Sequence, residues 1–274
     1  MPAVGRWLLW GEFEGMMSKF LSFFRSGFLA VADLLFPRRC VVCGEPLLLY
    51  EEHFCMHCLA ELPLTYFWTY KETGAFVSFY GRVHLESLYS LFYYTESYRR
   101  AIHSFKYQSN VRLGHYLAKM LGKRIGVSDI DYIIPVPLHY RKKWKRGYNQ
   151  SKIIAEGIRA GIMETISQMS QSGECGENKG NKENLSGPVV LDKILCRHKF
   201  TGTQTQREKM ERWKNVESAF VLNRRGAKKY NLNGKHILIV DDVVTTGATL
   251  EACANILQQN FNCRISIATL ACVE

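Results

Sequence analysis

Two adjacent carboxylates beside a run of hydroxyls are the residues of this 274-residue chain best suited to chemistry. Asp241 and Asp242 follow four apolar residues, Ile237, Leu238, Ile239 and Val240, and precede Thr245, Thr246, Gly247, Ala248 and Thr249. An unbroken apolar run suits a parallel strand covered on both faces, and ligands bind at the carboxyl ends of such strands. A helix beginning at the loop would aim free backbone N–H groups at it, and its dipole favours an anion. The threonines add hydroxyl donors, and Gly247 lets the backbone approach closely. The loop therefore suits a phosphate. The acids suit hydroxyls, or a Mg²⁺ that also touches the phosphate. No Gly-Lys-Ser/Thr follows the glycine, so the loop is not a P-loop.

A second set is metal-ligating. Cys40-Val-Val-Cys43 and Cys55-Met-His-Cys58 are separated by eleven residues. Two such knuckles predict tetrahedral zinc held by Cys40, Cys43, Cys55 and Cys58, with Gly44 closing the first turn. Four thiolates leave no open position, so the metal is structural. His53 and His57 are read as surface residues. Cys253, Cys263 and Cys272 lie in apolar patterns and read as core, and Cys175 as incidental.

A third set is basic. Residues 138–147, LHYRKKWKRG, read as a loop after the strand, in which Arg141, Lys142, Lys143 and Arg146, closed by Gly147, can hold a diphosphate. Residues 196–215 are strongly polar, with Thr201, Thr203, Gln204, Thr205 and Gln206 ahead of a short basic helix from about Arg207 to Lys214. Such a segment can close over an anionic ligand.

Strands are predicted at residues 88–94, 132–137, 189–195, 220–222, 237–240 and 264–272. Helices are predicted at 98–107, 111–124 and from a cap at Asn149 or Ser151, the last with Ile154, Ile158 and Ile162 inward. A further helix follows the threonine loop, with Leu250, Cys253, Ala254 and Leu257 inward. His103 and His115 are structural members of the first two helices. Strands alternating with helices predict an α/β parallel sheet with flanking helices. The basic segment and Asp241 then share its carboxyl edge. Residues 62–85 form a connector, 224–229 a basic turn, and 167–188 a disordered insertion that cannot bury a core. The predicted division is a tail and helix at 1–35, the four-cysteine module at 36–63, and a larger domain at 86–274. Met16 and Met17 offer an alternative start to Met1.

Thirty-six Lys and Arg against 25 Asp and Glu give a formal charge of +11, which argues for an anionic partner, nucleic acid or polyphosphate. No apolar run nears the ~20 residues that span a bilayer. The longest, 28–36, contains Asp33. The chain start lacks the pattern of a secretory signal. The cysteine usage suits a reduced, cytoplasmic setting.

The segment ILIVDDVVTTGAT at 237–249 resembles the signature of type I phosphoribosyltransferases. That resemblance implies that Asp241 and Asp242 hold the ribose hydroxyls of phosphoribosyl pyrophosphate, and that Thr245, Thr246, Gly247, Ala248 and Thr249 hold its 5-phosphate. Further matches occur in order: Leu34-Leu-Phe-Pro-Arg-Arg-Cys40, Lys106-Tyr107, Pro-Val-Pro-Leu at 135–138, Arg146-Gly-Tyr-Asn-Gln150, Thr203-Gln-Thr-Gln-Arg207 and Arg212 with Asn215. Together they resemble the ComF family of competence proteins across about residues 30–274, the insertion excepted. The family implies a zinc module on a type I phosphoribosyltransferase fold, cytosolic and linked to natural transformation. It also places Arg146, Gly147, Asn149 and Gln150 beside the diphosphate, and Thr205, Gln206 and Arg207 in a flexible hood.

Three functions stay open on the sequence. One is an enzyme that binds phosphoribosyl pyrophosphate with Mg²⁺ and transfers its sugar to an acceptor that the sequence does not reveal. Another is a single-stranded-DNA binder, with Trp144 stacking inside the basic segment and Arg224, Arg225, Lys228 and Lys229 extending its track. The last is a zinc-stabilised scaffold for competence proteins.

Overall fold

The computed structural model describes residues 37–66, 83–107, 110–172, 187–198 and 219–273. The described residues form two compact units, divided between Glu61 and Leu62.

The smaller unit carries the four cysteines. Helix α1 (Met56–Ala60) is capped by Cys55, whose sulfur accepts from the Cys58 N–H. Glu51 is buried, and its carboxylate accepts from the Leu48 and Met56 N–H groups, both at 2.7 Å. Gly44 adopts φ +84°, a left-handed turn that a side chain would strain. Its N–H donates to the Cys40 carbonyl. Phe54, Cys40 and Cys58 are its buried apolar residues.

The larger unit is built on a five-stranded sheet of β1 (Ser87–Tyr93), β2 (Tyr132–Pro135), β3 (Val189–Val190), β6 (His236–Val244) and β7 (Arg264–Cys272). Its order is β1-β7-β6-β2-β3, and every neighbouring pair is parallel. The central strands are buried along almost their whole length, as unbroken apolar runs require. Residues 63–65 run antiparallel beside β1, with Leu64 opposite Phe92. A separate hairpin pairs β4 (Leu195–Arg197) with β5 (Phe220–Leu222).

Helices α2 (Glu96–Tyr107) and α3 (Val111–Ile125) connect β1 to β2. Helices α4 (Tyr140–Arg146) and α5 (Gln150–Ser172) connect β2 to β3, and α7 (Ala248–Asn260) connects β6 to β7. Ile237 and Ile239 pack with Cys253, Ala254 and Leu257 of α7 in one buried cluster. Strand alternation turns Leu238 and Val240, both fully buried, to the opposite face. The packing of α3 on α5 is close enough to admit only glycine at several points. A Cβ at Gly157 would lie 2.7 Å from the His115 carbonyl, and one at Gly161 would lie 2.7 Å from the Lys123 nitrogen and nearer still to the Lys119 carbonyl. Those obstacles are backbone and cannot rotate away. Gly161→Ala should therefore lower stability by about 1–3 kcal/mol, the usual range for overpacking. A urea titration that left the midpoint unmoved would contradict this packing.

Several boundaries differ from the sequence expectation. Segment 138–147 is not a loop: residues 140–146 form α4, capped by His139, which accepts from the Arg141 N–H, and ended by Gly147 at φ +82°. The two acids close strand β6 rather than follow it, and Ala248 and Thr249 already belong to α7. Helix α5 runs on to Ser172, so residues 167–172 are helical and not part of a disordered insertion. The expected strand at 189–195 is broken into β3 and β4, which join different sheets. The expected basic turn begins as a short helix, α6 (Arg224–Ala227), capped by Asn223. The N-terminal tail and helix, most of the connector, residues 173–186 of the insertion, and the polar segment with Thr205, Gln206 and Arg207 lie outside the described residues.

Candidate ligand site and metal centre

The sheet order fixes where a ligand crevice can open. From β6 the chain crosses through α7 to β7 on one side, and from β2 it crosses through α5 to β3 on the other. The order therefore reverses between β6 and β2, and open α/β sheets bind ligands outside the carboxyl ends at such a point. Asp241 and Asp242 stand at the end of β6, and α4 follows the end of β2. The two edges are tied together. The Val136 N–H donates to the Val240 carbonyl at 2.9 Å, and Asn149 Nδ2 donates to the Val136 carbonyl at 3.1 Å.

Both acids are half-buried and held. Asp241 Oδ1 accepts from Ser151 Oγ and from the Asp242 N–H, each at 2.9 Å. Asp242 Oδ2 lies 2.9 Å from Lys106 Nζ. Burial pushes the Asp241 carboxyl up to about 7, and the neighbouring Asp242 charge adds to the rise. The Asp242 amide, the Ser151 hydroxyl and Lys106 pull against it. The predicted phosphate loop leads directly into α7. Gly247 is the N-cap of α7 at φ +72°, and no side chain caps the helix. Thr246 and Thr249 are half-buried and Thr245 is exposed.

Helix α4 sorts the predicted basic group by face. Lys142 and Arg146, four residues apart, share one side and are half-buried. Burial holds the Lys142 ammonium below its ordinary range, and the charges of Arg197, Arg146 and Lys106 add to this against Asp242. Arg141 and Lys143 are exposed, as is Trp144 at 90%. The diphosphate group predicted from sequence is thus divided, with Lys142 within electrostatic reach of Asp242 and Arg146 acting on Lys142 from the same side of the helix.

Three site residues were not given these roles in the sequence reading. Lys106 was read only as part of a short motif, and Ser151 only as a helix cap. Arg197, at the end of β4, was not singled out. Burial lowers its guanidinium and the Asp241 charge opposes that, so it belongs to the same field. Its position just before a Thr- and Gln-rich run was the available signal. Helix α5 begins at Gln150, which puts Asn149 at its N-cap position, and the Asn149 Nδ2 and Ser151 Oγ donate to Val136 and Asp241 at the strand ends.

In the smaller unit the sulfurs of Cys40, Cys43, Cys55 and Cys58 all lie within 4.8 Å of one another, and no histidine joins them. Cys43 Sγ and Cys55 Sγ are 3.7 Å apart. A tetrahedron with Zn–S bonds of ~2.3 Å has edges of ~3.8 Å, so the donor set fits zinc with no free position. His57 instead approaches Glu61 at 3.4 Å on the exposed side of α1.

Known proteins match both units. The phosphoribosyl transferase domain family matches residues 189–273, and the double zinc ribbon domain family matches residues 31–67. Competence protein F of Haemophilus influenzae is 27% identical over 227 residues, covering 80% of this chain and 78% of that protein. DNA utilization protein YhgH of Salmonella typhimurium is 26% identical over 182 residues, covering 64% of this chain and 67% of its own. Its namesake in Escherichia coli K12 is 26% identical over 166 residues, 58% and 60% respectively. Among the described residues no helix is long and apolar enough to cross a membrane. A zinc ribbon match ahead of a phosphoribosyl transferase match, with a competence relative aligned over far more of the chain than either domain alone, makes this chain similar to the ComF proteins in both units and supports a ComF-family protein.

Proposed function

We propose that the crevice between β6 and β2 binds phosphoribosyl pyrophosphate together with Mg²⁺, and that the protein serves DNA uptake through this site. One observation carries the reading: a carboxylate pair, a glycine-led helix N-terminus and the inner cations of α4 converge at one sheet edge. The N-terminus of α7, with Thr245, Thr246, Gly247, Ala248 and Thr249, receives the 5-phosphate. Asp241 and Asp242 accept from the ribose hydroxyls. Lys142, Arg146 and Gly147 meet the diphosphate, and Thr205, Gln206 and Arg207 close over it. Two carboxylates suit a hard cation, and Mg²⁺ when bound would offset the diphosphate charge.

This arrangement supports one class of reaction. An acceptor attacks the anomeric carbon, the bond to diphosphate breaks with oxocarbenium character, and the electron pair leaves with the diphosphate. Lys142 and Arg146 stabilise that leaving charge. The names of the relatives and the +11 charge support a role in DNA handling.

A second reading, that α4 also receives single-stranded DNA, is favoured by the outer face of α4. Trp144 is 90% exposed there between the exposed Arg141 and Lys143 region and solvent, which suits base stacking within a basic track. One set of variants tests both readings. In calorimetry with phosphoribosyl pyrophosphate and Mg²⁺, Lys142→Ala/Arg146→Ala should weaken binding at least ~30-fold, given ~1.5–3 kcal/mol per charged hydrogen bond. Arg141→Ala/Lys143→Ala should leave it unchanged. Against a thymidine oligonucleotide the outer pair should bind more weakly, with the salt slope reduced by about 1.4. Equal losses from both pairs on the phosphoribosyl ligand would contradict the sorting by face.

A further inference from the structure

Asp242 is already paired. Its Oδ2 lies 2.9 Å from Lys106 Nζ, with the two side chains only 16% and 22% exposed. The helix end that carries the ammonium is also fixed. Lys106 sits in the last turn of α2, where the Tyr148 hydroxyl donates to the carbonyl of the adjacent Phe105 and the two rings pack 6.1 Å apart.

The charges around this pair are unequal. Lys106, Arg146 and Arg197 all act on Lys142, while Asp241 and Asp242 are the two carboxylates at the strand end. Lys106 and Lys142 thus both act on Asp242, and Arg197 acts on Asp241. A bare divalent cation entering on Asp242 would have to displace the Lys106 ammonium and bring two more positive charges into that field. A diphosphate arriving with the metal reverses the balance, and it gives the displaced ammonium a new partner.

We propose that Lys106 is an internal counter-ion which keeps a bare divalent cation off Asp242, so that metal and polyanion load together and the ammonium passes from Asp242 to the diphosphate. This deepens the phosphoribosyl pyrophosphate reading and rests on it for the second half of that exchange. The first half, exclusion of the free metal, depends only on the ion pair.

The test uses the full zinc-loaded chain and Mn²⁺ alone as probe, with free Mn²⁺ followed by electron paramagnetic resonance. Lys106→Met keeps the aliphatic length and removes the charge, and Lys106→Gln serves should the first variant melt early. Removal of the charge should tighten Mn²⁺ binding at least about tenfold over wild type. Adding Asp242→Asn should abolish that gain, and Lys106→Arg should behave as wild type. No tightening, or a gain that survives Asp242→Asn, overturns the proposal. Calorimetry with phosphoribosyl pyrophosphate and Mg²⁺ reads the second half, where Lys106→Met should bind about tenfold more weakly than wild type. Unchanged affinity there overturns transfer of the ammonium to the ligand. If wild type itself binds no phosphoribosyl pyrophosphate, the ligand reading fails, while the Mn²⁺ comparison still decides whether Lys106 guards Asp242.

Discussion

Asp241→Asn should remove Mg²⁺-dependent binding of phosphoribosyl pyrophosphate and at the same time raise the melting temperature at pH 8. Both effects follow from one carboxyl. Burial and the neighbouring Asp242 lift Asp241 from its ordinary 3.8 to about 7. Between those values the folded protein binds a proton that the unfolded chain has released. Stability therefore falls as pH rises from about 4 to about 7, and above that the cost of a buried, like-paired charge is fully present. A rise of about three pKa units sets a ceiling of about 4 kcal/mol. Asn keeps the oxygen that accepts from Ser151 and from the Asp242 amide. A gain of about 1–2 kcal/mol is expected at pH 8, or roughly 2–8 °C for a unit of this size, and none at pH 4. Ligand binding runs the other way. The ribose or metal needs the ionised pair, so wild-type affinity should fall as pH drops below about 7. Thermal melts and calorimetry at both pH values check this. A variant that loses both binding and stability at pH 8 would mean that Asp241 is a structural residue.

Zinc removal should have the larger structural effect. Among its described residues the smaller unit has three buried apolar ones, Phe54, Cys40 and Cys58, two of them in the four-sulfur cluster. Residues 37–61 by themselves bury too little to offset their chain entropy, and structural zinc contributes ~10–16 kcal/mol in comparable small modules. Chelation, or Cys58→Ser, should therefore unfold residues 37–61. The Glu51 carboxylate would then lose the Leu48 and Met56 amides that it holds. The larger unit has its own core around β6, β7 and α7 and should keep its melting transition. Atomic emission should find one zinc per four-sulfur cluster, and limited proteolysis should cut within 37–61 only after chelation. Proteolytic resistance unchanged by chelation would contradict a folding role for the metal.

The elements most legible in the sequence were those whose local pattern and tertiary setting agree. Ile237 to Val240 are apolar without interruption, the 264–272 run carries only Arg264, Ser266 and Thr269 among apolar residues, and both lie in parallel strands of the sheet interior. The inward residues of α5, Ile154, Ile158 and Ile162, followed from their spacing and are buried. The two cysteine knuckles were legible because zinc fixes their spacing directly. Segment 138–147 was misread as a loop because its charge masks its periodicity. Seven residues between a His cap and a left-handed glycine make a helix with little apolar content, and only its i, i+4 geometry reveals that Lys142 and Arg146 differ from Arg141 and Lys143. Lys106 and Ser151 were missed as site residues for another reason. They reach Asp242 and Asp241 across the fold, from 136 and 90 residues away, and nothing in their neighbourhood announces the partner. The break at 189–195 arose similarly, because a run of apolar residues does not show that its two ends join different sheets.

Calorimetric titration of the wild-type chain with phosphoribosyl pyrophosphate, with and without Mg²⁺, tests the central claim most directly. The account predicts one site per chain, binding that requires Mg²⁺, and loss of that binding in Asp241→Asn/Asp242→Asn at pH 8. Absence of binding to the wild-type protein at any Mg²⁺ concentration, or equal binding to the doubly substituted protein, would contradict it.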